Sequence, residues 1–286
     1  MGTQISELLA ISHGCLLIPS RAALDAALYR TAKTESREFV TKKVTELDHP
    51  ARDHEAPRLV PVAEGYECWA ATYDKELNPL LHREERYLMS IFPRLQRERV
   101  LDLACGTGRW LQKCIESGLH SSVGVDISES MLRVASTKSG LSQRIALADC
   151  TALPFGDGTF DLAICSFAVW HVSDVNLMAQ ELARVTKPHG TVLLSDLHPE
   201  AHARGWRTGF RDGGGSKQIE THPLTVTELM SIFGMAGLDC VKFEALCMGE
   251  PEAFIFSHAG KAHLFNEALR MPAVAAFQFR RVANSE

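Results

Sequence analysis

Residues 100–108, with the sequence VLDLACGTG, decide the fold of this chain. A short apolar run passes through Asp102 and ends in Gly106-Thr107-Gly108, and the helix-like residues 110–117 follow directly. Glycine lets the backbone approach a ligand closely, and the N-terminus of a helix is a ready binding site for anions. The stretch therefore predicts a strand, a ligand-binding turn and a helix in succession.

Two common phosphate-binding patterns do not fit this turn. The dinucleotide fingerprint requires a small residue where Leu111 stands, and the Gly-Lys-Ser/Thr of the phosphate loop is absent. An acidic residue, Asp126, ends the next apolar run about twenty residues after the turn. A carboxylate at that position can accept hydrogen bonds from both hydroxyls of a ribose. These details narrow the class of ligand that the turn can bind.

Short apolar runs and helical segments alternate from residue 100 to residue 194. Continuous apolar strands separated by helices predict a parallel sheet that is covered on both faces. Residues 198–222 are polar and rich in glycine, a helix is predicted over 225–236, and strands are predicted over 239–243 and 273–280. We therefore expect a doubly wound α/β fold whose mostly parallel sheet ends in an antiparallel edge.

The composition of the chain excludes several classes of protein. Its 286 residues are 45% hydrophobic and 23% charged, which is typical of a globular protein, and its net charge of −5 argues against a nucleic-acid partner. No apolar run reaches the ~18 residues of a membrane span, and no signal peptide is evident. The eight cysteines form no C-x-x-C pair, which predicts reduced thiols in a cytoplasmic protein and no metal site.

The chain resembles the class I S-adenosylmethionine-dependent methyltransferases, within the small-molecule group that includes the ubiquinone/menaquinone-biosynthesis enzymes. The resemblance covers about residues 66–194 and rests on five motifs in order: VLDLACGTG at 100–108, VGVDIS at 123–128, AD at 148–149 with LPF at 153–155, FDLA at 160–163, and RVTKPHG at 184–190. It implies a seven-stranded Rossmann-like fold and methyl transfer from S-adenosylmethionine, with S-adenosylhomocysteine as the product. The sequence departs from the family at Ala104, where a glycine is usual, and we expect cofactor binding to tolerate this change.

The resemblance also implies a role for individual residues. Asp102 would organise the loop and face the methionine amino group, and Asp126 would hold the ribose hydroxyls. Asp149 would accept a hydrogen bond from the adenine amino group, and Ile127 would pack on the adenine ring. The alternative role for Asp126 and Asp149 is that of a helix N-cap. The other cofactor contacts that it implies are Tyr73, Ala104, Gly106, Gly108, Cys150 and Ser166.

Two histidines are candidates for a catalytic base, which an acceptor hydroxyl, thiol or carbon acid would need. His171 follows the fourth strand of the domain and His198 follows the fifth, where α/β folds bind their ligands. His171 could instead order its loop by hydrogen bonding, while Asp196 is close enough in sequence to orient His198. A metal site formed by His198, His202 and His222 is not expected.

The predicted substrate contacts lie near the same strand ends. Phe167 and Trp170 follow the fourth strand, and residues 204–211 contribute Trp206, Arg207 and Arg211. Arginines beside aromatic rings are suited to an acidic aromatic or carboxylated substrate. The alternative is a solvated surface loop with an amphipathic anchor.

The predicted organisation is one methyltransferase domain over residues 65–286, with a substrate-loop insertion at about 198–222, and an extension over residues 1–64. We expect this extension to cap the active site or to form a homodimer. The predicted function is methyl transfer to a small-molecule acceptor, with the O, N, S or C atom left open. The alternatives are a protein or RNA methyltransferase, although the N/D-P-P-Y/F/W motif is absent, and a non-catalytic S-adenosylmethionine-binding protein.

Overall fold

The computed structural model of the chain describes residues 56–95 and 97–283. The described residues belong to one compact unit. Strand β1 (Arg58–Val60) already pairs in parallel with a later strand, β8 (Gly215–Ile219), so ordered structure begins ahead of residue 65. Residues 1–55, which include most of the predicted extension and its dimer contact, lie outside the described residues.

The main sheet has seven strands in the order β4-β3-β2-β5-β6-β10-β9. Strands β2 to β6 run parallel, and β10 runs antiparallel to both β6 and β9, as the sequence predicts. The strand bounds are β2 (Val100–Leu103), β3 (Val123–Asp126), β4 (Ile145–Leu147), β5 (Phe160–Ser166), β6 (Thr186–Leu197), β9 (Leu238–Cys247) and β10 (Pro272–Arg281).

Nine helices are described in these residues, and local signals start several of them. The Thr225 side chain and Glu228 form a capping box, and Ser128 and Asp174 accept hydrogen bonds from the first turn of the helices that follow them. The bounds are α1 (Val62–Trp69), α2 (Pro79–Ile91), α3 (Arg109–Glu116), α4 (Glu129–Ser136), α5 (Val175–Val185), α6 (Pro199–Ala203), α7 (Val226–Met235), α8 (Ala253–His258) and α9 (Phe265–Ala268).

Apolar clusters cover the two faces of the main sheet. In β5, Leu162 and Ile164 pack in a cluster with residues of α2 and α3, whereas Ala163 and Cys165 pack in a cluster with residues of α5 and α7. Successive side chains of a strand point to opposite faces, which explains why this strand has no polar residue in its centre. The sheet is therefore buried on both sides, and its carboxyl edge is the place left for a ligand.

The predicted insertion at 198–222 is more ordered than a polar loop. It contains α6 and a hairpin of β7 (Gly209–Asp212) and β8, and β1 adds to β8 to form a second, three-stranded sheet. Helix α1 packs closely on this small sheet, because a Cβ atom on Gly65 would lie 2.7 Å from Cγ1 of Ile219. We call β1, α1, β7 and β8 the cap.

Two further results concern the expectations from composition. No helix in the described residues is long and apolar enough to cross a membrane. The seven cysteines in the same residues are free thiols, with Cys105, Cys114 and Cys165 buried. Cys15 lies outside the described part of the chain.

Candidate functional site

A cavity of about 760 Å³ opens at the carboxyl ends of β2, β3 and β5. The strand order reverses between β2 and β5, and this is the position at which open α/β sheets bind ligands. The predicted site residues that line the cavity are the cofactor residues Tyr73, Asp102, Ala104, Gly106, Asp126, Ile127, Cys150 and Ser166, the substrate residue Phe167 and the candidate base His171. The fold therefore brings together residues that are far apart in sequence.

In the turn after β2, every second residue from Ala104 to Gly108 has the left-handed backbone conformation. Ala104, Gly106 and Gly108 have φ angles of +53°, +54° and +79°. Gly106 faces open space, because no atom lies within 4 Å of a Cβ built on it. Gly108 is the N-cap of α3 and does not line the cavity. The turn thus opens the cavity at Gly106 and starts the helix at Gly108.

Asp102 anchors the start of α3 from the end of β2. It is buried, and its Oδ2 accepts a hydrogen bond from the Leu111 amide at 2.8 Å. Burial raises the pKa of Asp102 to about 7, although the Leu111 amide and the Arg109 charge favour its ionised form. Burial thus makes this carboxylate easier to protonate than an exposed one, and a cation in the cavity would favour its ionised form.

Asp126 links the end of β3 to the glycine turn. Its Oδ2 accepts from the Gly106 amide at 2.7 Å and its Oδ1 accepts from the Ser128 amide at 2.8 Å. A carboxylate oxygen has two acceptor positions, so each oxygen keeps one for a ligand. Burial raises the pKa of Asp126 from its ordinary value, while these amides favour the charged form.

An apolar shelf lies beside Asp126. The Ile127 side chain is 67% exposed and lines the cavity together with Met131, Ala148 and Cys150. Asp149 is outside the lining, because its Oδ1 accepts from both the amide and the hydroxyl of Thr151, each at 2.8 Å. The structure thus places Asp149 in a local turn between Ala148 and Cys150, which both line the cavity, and its contact with the adenine amino group stays a prediction.

A buried charged network supports the cavity and was not found by sequence reasoning. Arg109 lines the cavity, and its Nη2 donates to Glu84 Oε2 at 2.7 Å and to the Ser166 hydroxyl at 2.8 Å. Glu84 is fully buried and also accepts from Trp110 Nε1 at 3.3 Å and from the Ser195 hydroxyl at 2.7 Å. This network ties α2 to α3, β5 and β6 directly beneath the cavity.

The segment between α1 and α2 closes over the glycine turn. Asp74 Oδ1 accepts from the Thr107 hydroxyl at 2.7 Å, and Asp74 Oδ2 pairs with Lys138 at 2.7 Å. These bonds hold Tyr73 at the wall of the cavity, and Tyr66 of α1 lines the same wall. Burial raises the pKa of both phenols, so they remain protonated donors at neutral pH.

Phe167 and His171 form a further part of the cavity wall. Phe167 follows β5 with a φ of +52°, an uncommon conformation for a bulky residue that is typical of functional sites. The His171 ring meets Tyr66 edge-on at 5.3 Å, and its Nδ1 is 3.1 Å from the Glu220 carbonyl. A carbonyl only accepts, so Nδ1 carries the proton and Nε2 is an acceptor. Burial lowers the pKa of His171, which keeps the ring neutral.

Other predicted residues lie outside this cavity. His198 is the N-cap of α6, where its Nδ1 accepts from the Glu200 amide at 3.1 Å. Asp196 does not orient it, because Asp196 accepts from the amides of Trp170 at 3.1 Å and Leu197 at 2.7 Å. Trp170 is 2% exposed and belongs to the core. No group of three or more metal-ligating side chains occurs in the described part of the chain.

A second cavity, of about 700 Å³, lies between the cap, the start of α2 and α8. Trp206, Arg207 and Arg211 line it, so the predicted substrate segment faces a cavity of its own. Tyr73 is the one residue in the described chain that lines both cavities. Its ring therefore stands between the predicted cofactor residues and the predicted substrate segment with Trp206, Arg207 and Arg211.

Comparison with known families and curated proteins gives the following matches. Residues 101–194 match the model of a methyltransferase domain. The chain is 41% identical over 99 residues to malonyl-[acyl-carrier protein] O-methyltransferase of Erwinia pyrifoliae, which covers 35% of this chain and 37% of the relative. It is 39% identical over 102 residues to demethylmenaquinone methyltransferase of Clavibacter sepedonicus, and this match covers 35% of this chain and 41% of the relative. The match thus spans about two fifths of each relative's length.

Solved structures share the fold over a larger part of the chain. An S-adenosylmethionine-dependent methyltransferase from Mesorhizobium loti has a TM-score of 0.54 at 23% identity and covers 70% of this chain and 98% of its own. The [4+2]-cyclase SpnF has a TM-score of 0.56 at 16% identity, with 80% and 100% covered. At these identities the likeness establishes the fold alone. Residues 101–194 thus match a methyltransferase domain, within a chain that shares the Rossmann-like fold of solved S-adenosylmethionine-dependent methyltransferases.

Proposed function

We propose that this chain transfers a methyl group from S-adenosylmethionine to a small-molecule acceptor. The observation that carries the proposal is the cavity at the reversal of strand order, with the Asp126 carboxylate beside the open space over Gly106. When bound, the cofactor supplies an electrophilic methyl carbon; an acceptor lone pair forms the new bond while the carbon–sulfur electron pair returns to sulfur.

The residues around the cavity fit this cofactor in their chemistry. Asp126 keeps one acceptor position on each oxygen after its two amide bonds, which suits a pair of ribose hydroxyls. Ile127 offers an exposed apolar surface for a base, and Asp102 offers a carboxylate to an ammonium group. No side chain at Gly106 obstructs the space between them.

The part of the cavity wall formed by Tyr66, Phe167 and His171 is suited to the acceptor. Tyr66, Phe167 and His171 would exclude water and hold the acceptor in line with the methyl carbon, and placement of this kind lowers the barrier without a covalent intermediate. His171 would take a proton at Nε2 when the acceptor is a hydroxyl, thiol or carbon acid, since its Nδ1 is engaged by Glu220. An acceptor that needs no deprotonation would use His171 only for positioning.

Two considerations bear on the class of reaction. The relatives reported above are named for malonyl-[acyl-carrier protein] and for demethylmenaquinone, which supports an acceptor other than nucleic acid. The [4+2]-cyclase shares the fold under a different reaction name, and fold alone does not settle function. Cofactor binding and methyl transfer are therefore tested separately.

Isothermal titration with S-adenosylmethionine tests the cofactor site. Asp126→Asn removes a charged acceptor of hydrogen bonds and is expected to weaken binding by roughly 10- to 100-fold. Asp239→Asn is the matched control, because Asp239 is exposed and lines neither cavity. It is expected to bind within about threefold of the unmodified chain.

Two results would oppose the proposal. The first is a folded, unmodified chain that shows no heat of binding at millimolar cofactor. The second is an equal loss of affinity in the two variants, which would indicate a general effect of removing an aspartate. Radiolabel transfer from S-adenosylmethionine to an acceptor panel then tests the reaction itself.

A further inference from the structure

The second cavity carries an inference about the acceptor, which rests on the proposed function. We infer that the acceptor is an amphipathic organic anion that binds in the second cavity and reaches the cofactor cavity past Tyr73. The apolar lining, the charge of the rim and the shared wall each support a part of this inference.

The lining of the second cavity is largely aromatic and aliphatic. Trp69 stacks on Phe210 with ring centroids 5.1 Å apart, and both rings are buried in the cap. The ring centroids of Trp206 and Phe256 lie 6.3 Å apart with the rings tilted, and Leu80 of α2 belongs to the same cluster. A pocket built in this way binds the apolar body of a ligand and leaves orientation to a few polar groups.

The polar groups at this cavity are mainly cationic. Arg207, Arg211 and Lys261 line it and form no ion pair with any described residue, whereas Lys217 is neutralised by Asp212. Glu76 is the one acidic residue of the lining. The Arg207 guanidinium is held in place by carbonyls of His202 and Trp206. The excess of positive charge complements an anionic ligand and opposes a cationic one.

Tyr73 joins this binding surface to the cofactor cavity. Its ring meets Trp69 at 4.8 Å on the side of the second cavity, and the next residue, Asp74, is bonded to Thr107 of the glycine turn. A ligand whose charged end lies at the arginines would direct its other end toward Tyr73. That end is where the proposed transfer requires the acceptor atom.

Titration of the full chain, saturated with S-adenosylhomocysteine, tests the inference. The probes are 2-naphthoate, an aromatic carboxylate, and 2-naphthamide, its uncharged counterpart, at low ionic strength so that surface charges are not screened. We expect 2-naphthoate to bind at least fivefold more tightly than 2-naphthamide. The double variant R207Q/R211Q is expected to lose about tenfold in affinity for 2-naphthoate and to bind 2-naphthamide unchanged.

The control is the double variant R94Q/R280Q, which removes the same charge from two exposed arginines that line neither cavity. It is expected to bind both probes as the unmodified chain does. The inference is overturned if the two probes bind equally, if both double variants weaken 2-naphthoate alike, or if R207Q/R211Q has no effect. Binding of S-adenosylhomocysteine is measured first. A chain that does not bind it would count against the proposed function. Probe binding to the unliganded chain would then still test the anion site.

Discussion

The buried Glu84 network allows a quantitative test of how the cavity is supported. In Glu84→Gln, the charge partner of Arg109 is removed while the shape of the side chain is kept. Glu84 is 0% exposed and accepts from Arg109, Trp110 and Ser195, whereas a glutamine side chain has one oxygen to offer these donors. The variant therefore leaves the Arg109 charge poorly compensated and at least one buried donor without a partner.

The expected loss of stability is about 3 kcal/mol. Removing one partner of a buried ion pair costs roughly 3–5 kcal/mol, and the lower end applies because glutamine retains part of the hydrogen bonding. Glu85→Gln is the matched control on the same helix. Glu85 is 34% exposed and pairs with Arg109 at 3.4 Å and Lys113 at 2.7 Å, so a loss below about 1 kcal/mol is expected.

Urea unfolding followed by circular dichroism measures both values. The two variants should have the m-value of the unmodified chain, so that the shift in midpoint reports the free energy of unfolding alone. Equal losses in Glu84→Gln and Glu85→Gln would refute the reasoning, because burial would then not distinguish the two carboxylates.

Three further predictions concern packing and protonation. Gly124→Ala should lower the free energy of unfolding in urea by about 1–3 kcal/mol, since the new Cβ would lie 2.9 Å from Cys105 Sγ. Gly234→Ala, in open space on a helix, should raise this free energy by up to about 1 kcal/mol. A change of the same sign in both variants would contradict this prediction. Burial lowers the pKa of His171, so activity with a hydroxyl acceptor should fall at a more acidic pH than it would with a free imidazole as the base. An unaltered pH profile in His171→Gln would exclude His171 as the base. Because the pKa of Asp102 is about 7, binding of the cofactor ammonium should ionise Asp102 and release protons at pH 7. Calorimetric titration in buffers of different ionisation enthalpy measures this proton release, and Asp102→Asn should abolish it.

The sequence predicted the parallel core correctly because its strands are uninterrupted apolar runs with turn signals at their ends. The bounds of β6 differ from those that its sequence pattern indicates. Pro188-His189-Gly190 resembles a turn, yet the strand begins at Thr186 and continues through His189, whose φ is +63°. The small sheet of the cap was missed as well, because β1, β7 and β8 are short, and pairing between distant segments leaves no periodic pattern.

The site was predictable where its chemistry lies in local motifs, and less so where it depends on packing. Asp126 lies at the cavity because it ends a strand, but Asp149 does not, since Thr151 two residues later closes a local turn on its carboxylate. Glu84 stands in a charged run beside Glu85, and only the packing of α2 against α3 decides which one is buried. The separation of Arg207 and His171 into two cavities likewise follows from tertiary structure.

A crystal structure of the chain with S-adenosylhomocysteine tests the central proposal most directly. We predict both ribose hydroxyls within about 3.2 Å of the Asp126 carboxylate, the base on Ile127, and the sulfur on the side of Tyr73 and Phe167. The product would then direct the former methyl position toward the second cavity. A product bound elsewhere, or bound with its sulfur directed away from Tyr73, would contradict the proposed site and the proposed path of the acceptor.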